Sequence, residues 1–151
     1  MLTQRDLILS LIHTPGSTKH YNEPIKGSVK IMKQVFLLQE KLNLHLFSFI
    51  PYDLGPVSFQ VYDELIGLEK DGLIIVSKVI GEHNDEVDEY SLTEIGISKA
   101  EHVLSNNLSQ DEKTKIQSIK TEFNNMKTIE LLRYIYRNYP KFIKRSVIKF
   151  F

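Results

Sequence analysis

Residues 73–96 read LIIVSKVIGEHNDEVDEYSLTEIG and carry the clearest indication of the fold class. Residues 73–80 are rich in β-branched side chains and residues 87–92 alternate weakly between apolar and polar, so both segments predict strands. The polar residues 81–86 between them predict a hairpin loop. Thr93 marks the start of a helix, because a threonine hydroxyl can accept a backbone N–H of the first helical turn.

Apolar residues recur at helical spacing on both sides of this hairpin. The predicted helices span residues 3–13, 28–42, 56–70, 93–105, 109–125 and 128–138. The side chains suited to cap them are Thr3, Ser28, Thr93, Thr128 and the Ser109–Glu112 capping box. Pro56 suits the first position of the third helix. Residues 44–50 predict a short strand or an extended link.

Helix, helix, short strand, helix and hairpin is the order of elements in a winged helix-turn-helix domain. The sequence therefore predicts a mainly α fold with a small β-hairpin, in which the hairpin is the wing and three C-terminal helices follow it. We expect a winged-helix domain over residues 1–105 and a C-terminal helical extension over residues 106–151. The two parts are expected to pack together as a single globular unit.

The composition is that of an ordinary globular protein, with 42% hydrophobic and 25% charged residues. The absence of cysteine excludes disulfides and thiolate metal sites. The first residues lack the basic start and the small-residue cleavage site of a signal peptide. No apolar run reaches the ~20 residues that a membrane-spanning helix needs. We therefore expect a cytoplasmic protein that makes no membrane contact.

Tyr90, Leu92, Thr93 and Gly96 resemble the segment Y-x-L-T-x-x-G that closes the wing in many winged-helix regulators. The tyrosine and the leucine are expected to face the core from the last strand. The threonine is expected to cap the next helix, and the glycine to allow close packing.

A wider resemblance covers most of the chain. The matching stretches are residues 21–25 (YNEPI), 33–38 (KQVFLL), 51–56 (PYDLGP) with Tyr62, and 131–136 (LLRYIY) with Tyr139-Pro140. In these stretches the chain resembles the YwgA-like bacterial and archaeal proteins, which are related to the Panacea (SocA-like antitoxin) domain. The resemblance implies no settled activity, and the Panacea relatives imply regulation of, or binding to, another protein. It departs at residues 141–143 (KFI), where a Tyr-Thr pair is expected.

No group of residues points to catalysis. The five histidines include no pair at the i, i+4 spacing of a helical metal site. The sequence has no glycine-rich phosphate loop and no G-x-S-x-G nucleophile elbow. We expect a protein that is not an enzyme and that needs no metal and no cofactor.

The net charge is zero, but the charge is unevenly distributed along the chain. Residues 41–100 hold four basic and eleven acidic side chains, whereas residues 101–151 hold ten basic and five acidic ones. The third helix and the wing, which usually contact DNA in this fold, are acidic and would repel phosphates. Their outward side chains are instead candidates for a protein interface, namely Gln60, Asp63, Glu64, Glu82, Asp85 and Glu86.

Basic side chains lie in the first loop, the second helix and the C-terminal segment. These candidate nucleic-acid contacts are Lys19, Lys26, Lys30, Lys33, Arg137, Lys141, Lys144, Arg145 and Lys149. Aromatic residues interleave with the C-terminal group, namely Tyr134, Tyr136, Tyr139, Phe142 and Phe150. They could stack on bases, or they could pack the last helix onto the core.

Two functions stay open on the sequence. One is a nucleic-acid-binding regulator that uses the basic C-terminal segment and not the acidic third helix, and the winged-helix fold favours this interpretation. The other is a protein-interaction module, either antitoxin-like or a subunit of a larger defence or regulatory complex. A homodimer through the C-terminal helices is a further prediction, because winged-helix regulators often dimerise through terminal helices.

Overall fold

A computed structural model describes residues 1–148 of the chain. Its helices are α1 (Gln4–His13), α2 (Ser28–Lys41), α3 (Phe59–Lys70), α4 (Glu94–Asn106), α5 (Gln110–Phe123), α6 (Thr128–Asn138) and a 3-10 helix at Pro140–Ile143. Its strands are β1 (Ile25–Lys26), β2 (Ile50–Tyr52), β3 (Gly55–Val57), β4 (Ile74–Ile80) and β5 (Glu86–Leu92). The mainly α fold class with a small β-hairpin is confirmed. None of the helices in this part of the chain is long and apolar enough to cross a membrane.

Strands β4 and β5 form the predicted hairpin, with Ile74 opposite Leu92. Strand β1 pairs with the other edge of β5, where Ile25 lies opposite Tyr90, so the order in the sheet is β1-β5-β4. The sequence did not predict β1, because two residues are too few to show an alternating pattern. This short strand brings the loop before α2 against the hairpin.

The junction between β5 and α4 matches the Y-x-L-T-x-x-G prediction. Tyr90 and Leu92 are buried, at 4% and 8% exposure. The Thr93 hydroxyl accepts the Gly96 N–H at 3.0 Å and donates to the carbonyl of Gly72 at 2.7 Å. A Cβ atom on Gly96 would lie 2.0 Å from the carbonyl oxygen of Leu73, so only glycine allows this close approach. The roles predicted for all four motif residues are confirmed.

The segment between α2 and α3 follows one of the two predicted alternatives. Residues 44–49 form a link and not a strand, and the Gln39 side chain takes the place of a strand partner. Its amide donates to the Phe47 carbonyl and accepts the Phe47 N–H, both at 2.8 Å. A second hairpin, β2–β3, follows and contains Pro56 opposite Pro51. Helix α3 therefore begins at Phe59, and the prediction that Pro56 starts it is wrong.

One predicted capping box and three predicted caps have different outcomes. Thr3 caps α1 together with Asp6, and the Ser109–Glu112 box caps α5. Ser28 and Thr128 are instead the first helical residues of α2 and α6, one position after the cap. Both of these N-caps lack a side-chain hydrogen bond, which leaves the first turns of α2 and α6 open to other partners.

Helices before and after residue 105 contribute to the same hydrophobic core. Residues 30–39 of α2 are all buried and lie at its centre. Side chains of α5 and α6, such as Ile116, Phe123 and Ile135, belong to the same cluster as those of α1. The division of the chain after residue 105 stays a prediction.

Replacing Gly96 by alanine should destabilise the protein, because the new methyl group would meet the backbone carbonyl of Leu73. We expect the free energy of unfolding in urea to fall by at least about 2 kcal/mol. Gly67→Ala in α3 is the matched control, since its nearest neighbour is the far end of the Arg5 side chain, which can move. That variant should be neutral or gain up to about 1 kcal/mol from helix propensity. Equal losses in the two variants would contradict the steric explanation.

Candidate functional site

A lysine from α5 holds the end of α1 and the loop that follows it. The Lys120 side chain has no solvent exposure, and its ammonium group donates to the carbonyls of Ile12, Thr14 and Glu23 at 2.7, 2.8 and 2.6 Å. Burial lowers the pKa of Lys120 to about 7, and the nearby Glu23 carboxylate opposes this shift. Lys120 thus fixes the loop of residues 14–24 onto α5.

Glu23 and Asn124 extend this buried network to α2. The Glu23 carboxylate accepts hydrogen bonds from the backbone N–H of Thr18 at 3.0 Å, from the Thr18 hydroxyl and from the Asn124 amide. Burial raises the pKa of Glu23, but these hydrogen bonds and Lys120 outweigh burial, so the pKa lies below its ordinary value. Gln34 of α2 donates to the Asn124 Oδ1 atom at 3.0 Å. The network therefore joins the loop, α2 and α5.

Two of the lysines predicted to contact nucleic acid lie inside the protein. Lys30 is 6% exposed and donates to the carbonyls of Asn124, at 3.3 Å, and Met126. Lys33 is 1% exposed and donates to the carbonyl of Pro56 at 3.0 Å. Burial lowers the pKa of both lysines, that of Lys33 to about 7. Both ammonium groups are bonded to backbone carbonyls inside the protein, so the exposed position predicted for these two lysines is wrong.

Helix periodicity did not reveal this burial, because it assigned only one face of α2 to the core. The helix is packed on nearly all sides, so positions that would be solvated on a surface helix lie against other elements. The other predicted basic contacts have exposed side chains, namely Lys19, Lys26, Arg137, Lys141, Lys144 and Arg145. Lys149 lies outside the described residues.

The aromatic residues of the C-terminal segment pack into the core. Phe36 of α2 meets the rings of Tyr139 and Phe142 edge-on, with ring centroids 5.0 Å apart in each pair. Tyr136 is 1% exposed and Phe142 is 3% exposed. These buried rings cannot stack on bases, so the packing interpretation is confirmed for them. Phe150 lies outside the described residues.

The exposed face of α3 is more apolar than the sequence interpretation suggested. Phe59 is 56% exposed and Ile66 is 65% exposed. They lie seven residues apart, two turns along one face, with the exposed Asp63 between them and Lys70 one turn beyond. We call Phe59, Asp63, Ile66 and Lys70 the α3 stripe. One acidic and one basic side chain leave the stripe without net charge.

Two residues predicted to lie on this face are engaged within the protein. The Gln60 side chain accepts the backbone N–H of Ser48 at 2.8 Å. Glu64 is paired with Arg5 at 3.3 Å, and Arg5 also contacts Asp71 at 2.8 Å. A helical wheel drawn from Phe59 would have identified the stripe, since positions i, i+4 and i+7 share a face.

The hairpin loop is tied to α6 and is not a free wing tip. The Glu82 carboxylate accepts the backbone N–H of Thr128 at 3.0 and 3.2 Å, and so caps α6. Burial raises the pKa of Glu82, but the hydrogen bond from Thr128 and the nearby Lys30 lower it below its ordinary value. Asp85 and Glu86 are exposed on the same loop. Of the three acidic hairpin residues predicted to bind a partner, two therefore remain available.

A cleft of about 720 Å³ lies between the start of α2, the start of α6 and the hairpin. Its walls consist of Glu82, His83, Asp85, Val87 and Glu89 from the hairpin and of residues 23–30 except Ile25 from the segment that contains β1 and the start of α2. Asn124, Ile129 and Leu132 form the floor. Within residues 1–148 no three histidine, aspartate or glutamate side chains are grouped as a metal site would require. The buried network thus shapes a cleft that has both charged and apolar surfaces.

Replacing Lys120 by methionine should strongly destabilise the protein, because three buried carbonyls lose their donor. We expect the free energy of unfolding at pH 7 to fall by about 3–5 kcal/mol in urea denaturation. Lys115→Met on the same helix is the matched control, since Lys115 is part exposed and pairs only with Asp111 at 3.0 Å. Its loss should stay below about 1 kcal/mol. Similar losses for the two variants would show that the buried bonds do not stabilise the fold.

The buried lysines also predict a dependence of stability on pH. Burial lowers the pKa of Lys33 and of Lys120 to about 7 from the ordinary 10.5, so between these values the unfolded chain binds more protons than the folded one. The free energy of unfolding should therefore rise from pH 7.5 to pH 9, by up to about 1.4 kcal/mol per pH unit for each lysine. Above that range the raised pKa of Tyr90 begins to act in the opposite direction.

Urea denaturation at pH 7.5, 8.25 and 9 measures this slope. Lys33→Met should reduce it, while Lys115→Met should leave it unchanged. A flat profile in the wild-type protein, or the same slope in Lys33→Met, would contradict the assignment.

Comparison with known proteins gives a family for the chain. The family described as antitoxin SocA-like, Panacea domain, matches residues 32–140, from α2 to the start of the 3-10 helix. The match includes α3, the hairpin and α6, and it leaves out α1 and the loop that Lys120 holds. No curated protein matches the chain significantly. The predicted relation to the Panacea domain is confirmed, and the chain belongs to the family of SocA-like antitoxins with a Panacea domain.

Proposed function

We propose that this chain is a non-catalytic, antitoxin-like protein-binding module that docks a partner protein on the α3 stripe. The observation that carries the proposal is the exposure of Phe59 and Ile66 on one face of α3. Large aromatic and aliphatic side chains grouped on a surface are typical of protein interfaces. The neutral stripe has only one cation, Lys70, so it offers little attraction to a phosphate backbone.

The apolar surface continues from the stripe onto the β2–β3 hairpin. The Tyr52 ring lies 6.0 Å from the Phe59 ring in an edge-on arrangement, and Ile50 on the same strand is 42% exposed. Arg145 covers the Tyr52 ring at 4.5 Å. An aromatic centre with an arginine beside it has the composition of an interface hot spot.

The family description also supports a protein partner, since it names an antitoxin. An antitoxin of the protein-binding type needs a surface complementary to another protein, and the α3 stripe is such a surface. The order of α1, α2, α3 and the β4–β5 hairpin supports a winged-helix interpretation. In this interpretation α3 is the helix that usually enters DNA, and here it presents apolar side chains instead.

A non-catalytic role fits the environment of the ionisable groups with shifted pKa values. Lys33 and Lys120 are 1% and 0% exposed, and their ammonium groups are bonded to backbone carbonyls. A general acid or base has to reach a substrate, and these groups do not. Burial explains the lowered pKa values of both lysines, so these shifts do not point to a catalytic role.

A nucleic-acid-binding role has weaker support. Exposed cations remain at the end of α6 and after it, namely Arg137, Lys141, Lys144 and Arg145. Arg145 lies 3.8 Å from Asp53 as well as over Tyr52, so part of its charge is already compensated. The homodimer through the C-terminal helices stays a prediction.

The substitution Ile66→Asp should abolish partner binding without unfolding the protein, because the side chain is exposed and the change places a charge in an apolar interface. The matched control is Ile95→Asp, since Ile95 is also helical and is 66% exposed. Tagged wild-type and variant chains are captured from the source cells at equal expression, and co-purifying proteins are quantified by mass spectrometry. We expect a near-stoichiometric partner with wild type and Ile95→Asp that falls at least about tenfold with Ile66→Asp.

The captured protein is then purified, and calorimetry with the same three chains measures its affinity directly. Equal affinity of the three chains would reject the α3 stripe as the docking surface. The absence of a stoichiometric partner, together with retention of duplex DNA at about 50 mM salt that disappears at higher salt, would favour the nucleic-acid-binding role.

A further inference from the structure

The charged groups that line the cleft between α2, α6 and the hairpin differ in whether they are already engaged. Lys30 donates to two carbonyls of the α5–α6 turn, Glu82 caps α6, and Glu23 accepts from Asn124. By contrast, the carboxylates of Asp85 and Glu89 have no hydrogen-bond or ion-pair partner within residues 1–148. The free charge in the cleft is therefore negative.

The other cation in the cleft, Lys26, forms no ion pair with these carboxylates. Lys26 lies opposite Glu89 in the β1–β5 pair, but its ammonium group donates to the carbonyl of Ile80 at 3.4 Å. Four acidic and two basic residues line the cleft, so its lining carries a net charge of −2. In the described part of the chain, Asp85 and Glu89 form no ion pair and are therefore available to an incoming cation.

Apolar side chains cover the rest of the cleft. These apolar residues are Val29, Leu54, Val87, Ile129, Leu132 and Ile148. Ile129, in the first turn of α6, is 39% exposed. An apolar floor beneath free carboxylates favours an occupant that combines apolar side chains with positive charge.

We propose that the cleft binds a short segment of a partner protein in which apolar side chains alternate with lysine or arginine. The apolar side chains fill the floor around Ile129 and Leu132, and the cationic ones pair with Asp85 and Glu89. A volume of about 720 Å³ lies in the range typical of ligand sites. Charge complementarity selects a basic segment, because an acidic segment would meet two unpaired carboxylates.

This binding site goes beyond the α3 docking surface. None of the four residues of the α3 stripe lines the cleft. The cleft instead uses the hairpin, the N-terminal turn of α2 and the α5–α6 turn, which the buried network holds together. The two surfaces can therefore be tested independently.

Amide chemical shifts of the ¹⁵N-labelled chain test the proposal with two peptide probes. The basic probe is acetyl-Leu-Lys-Leu-Arg-Leu-amide, and the matched acidic probe is acetyl-Leu-Glu-Leu-Glu-Leu-amide. The basic probe should shift the amide signals of Gly27, Gly81 and Thr128 in a saturable way, and the acidic probe should not. Asp85→Asn with Glu89→Gln should weaken binding of the basic probe at least about fivefold.

The matched control is Glu101→Gln with Glu122→Gln, which removes two exposed carboxylates outside the cleft and the α3 stripe and should leave the affinity unchanged. The amide spectrum of each variant also shows whether the variant is folded. If Asp85→Asn with Glu89→Gln is unfolded, the single variant Asp85→Asn, at an exposed loop position, replaces it. Ile66→Asp should still bind the basic probe, so failure of the α3 surface and failure of the cleft give different results.

Four results would overturn the proposal. One is that the basic probe leaves the three amide signals unchanged. The second is that the acidic probe binds as well as the basic one, and the third is that the carboxylate variants keep the wild-type affinity. The fourth is that spermidine displaces the basic probe at equal concentration, which would mean that the cleft attracts any cation and does not recognise a peptide segment.

Discussion

The ammonium group of Lys120 donates to three backbone carbonyls at 2.6 to 2.8 Å and has no contact with solvent. These carbonyls belong to the end of α1 and to the loop before β1. One side chain of α5 therefore binds a segment that lies about one hundred residues earlier in the chain. The loop contains two residues in the left-handed region, Lys19 at φ 66° and Asn22 at φ 62°. Such conformations persist where the surrounding structure fixes them, and here the backbone N–H groups of Lys19 and Asn22 donate to the carbonyls of Gly16 and His13 while Lys120 holds both ends of the loop.

The position of this loop decides the position of the elements that follow it. Because the loop is fixed, β1 can pair with β5, and α2 begins beside the hairpin. Lys30 at the start of α2 then reaches the carbonyls at the end of α5, and Glu82 of the hairpin caps α6. The cleft is enclosed by these same contacts. A side chain with no solvent exposure therefore determines the shape of a solvent-facing surface.

Burial of Lys30, Lys33 and Lys120 also changes the charge that the protein presents to a partner. Three of its nineteen lysine and arginine residues donate hydrogen bonds to internal carbonyls. The surface around the hairpin and the cleft is therefore more acidic than the zero net charge of the sequence suggests. The α3 stripe is neutral and apolar, and the free charge of the cleft is negative. Both surfaces suit a protein partner better than a phosphate backbone, which agrees with the antitoxin-like family of the chain.

The sequence alone determined what depends on neighbours within a few residues. The spacing of apolar residues gave the helices and the β4–β5 hairpin, and the side chains of Thr3, Thr93 and Ser109 cap helices by bonding to N–H groups three residues later. Only the tertiary structure decided features that depend on distant partners. Strand β1 exists because β5 lies beside it, and residues 44–49 form a loop because Gln39 bonds to Phe47.

From the sequence alone Lys30 and Lys33 are predicted to be surface lysines. They are buried because the end of α5 and strand β3 pack against α2. The exposure of Phe59 and Ile66, by contrast, follows from helical spacing, since Val61, Leu65 and Leu68 mark the buried face of α3. The cleft itself consists of residues from five separate parts of the chain. Local spacing encodes the elements because their hydrogen bonds are short in sequence, whereas the binding surfaces arise where elements distant in sequence meet.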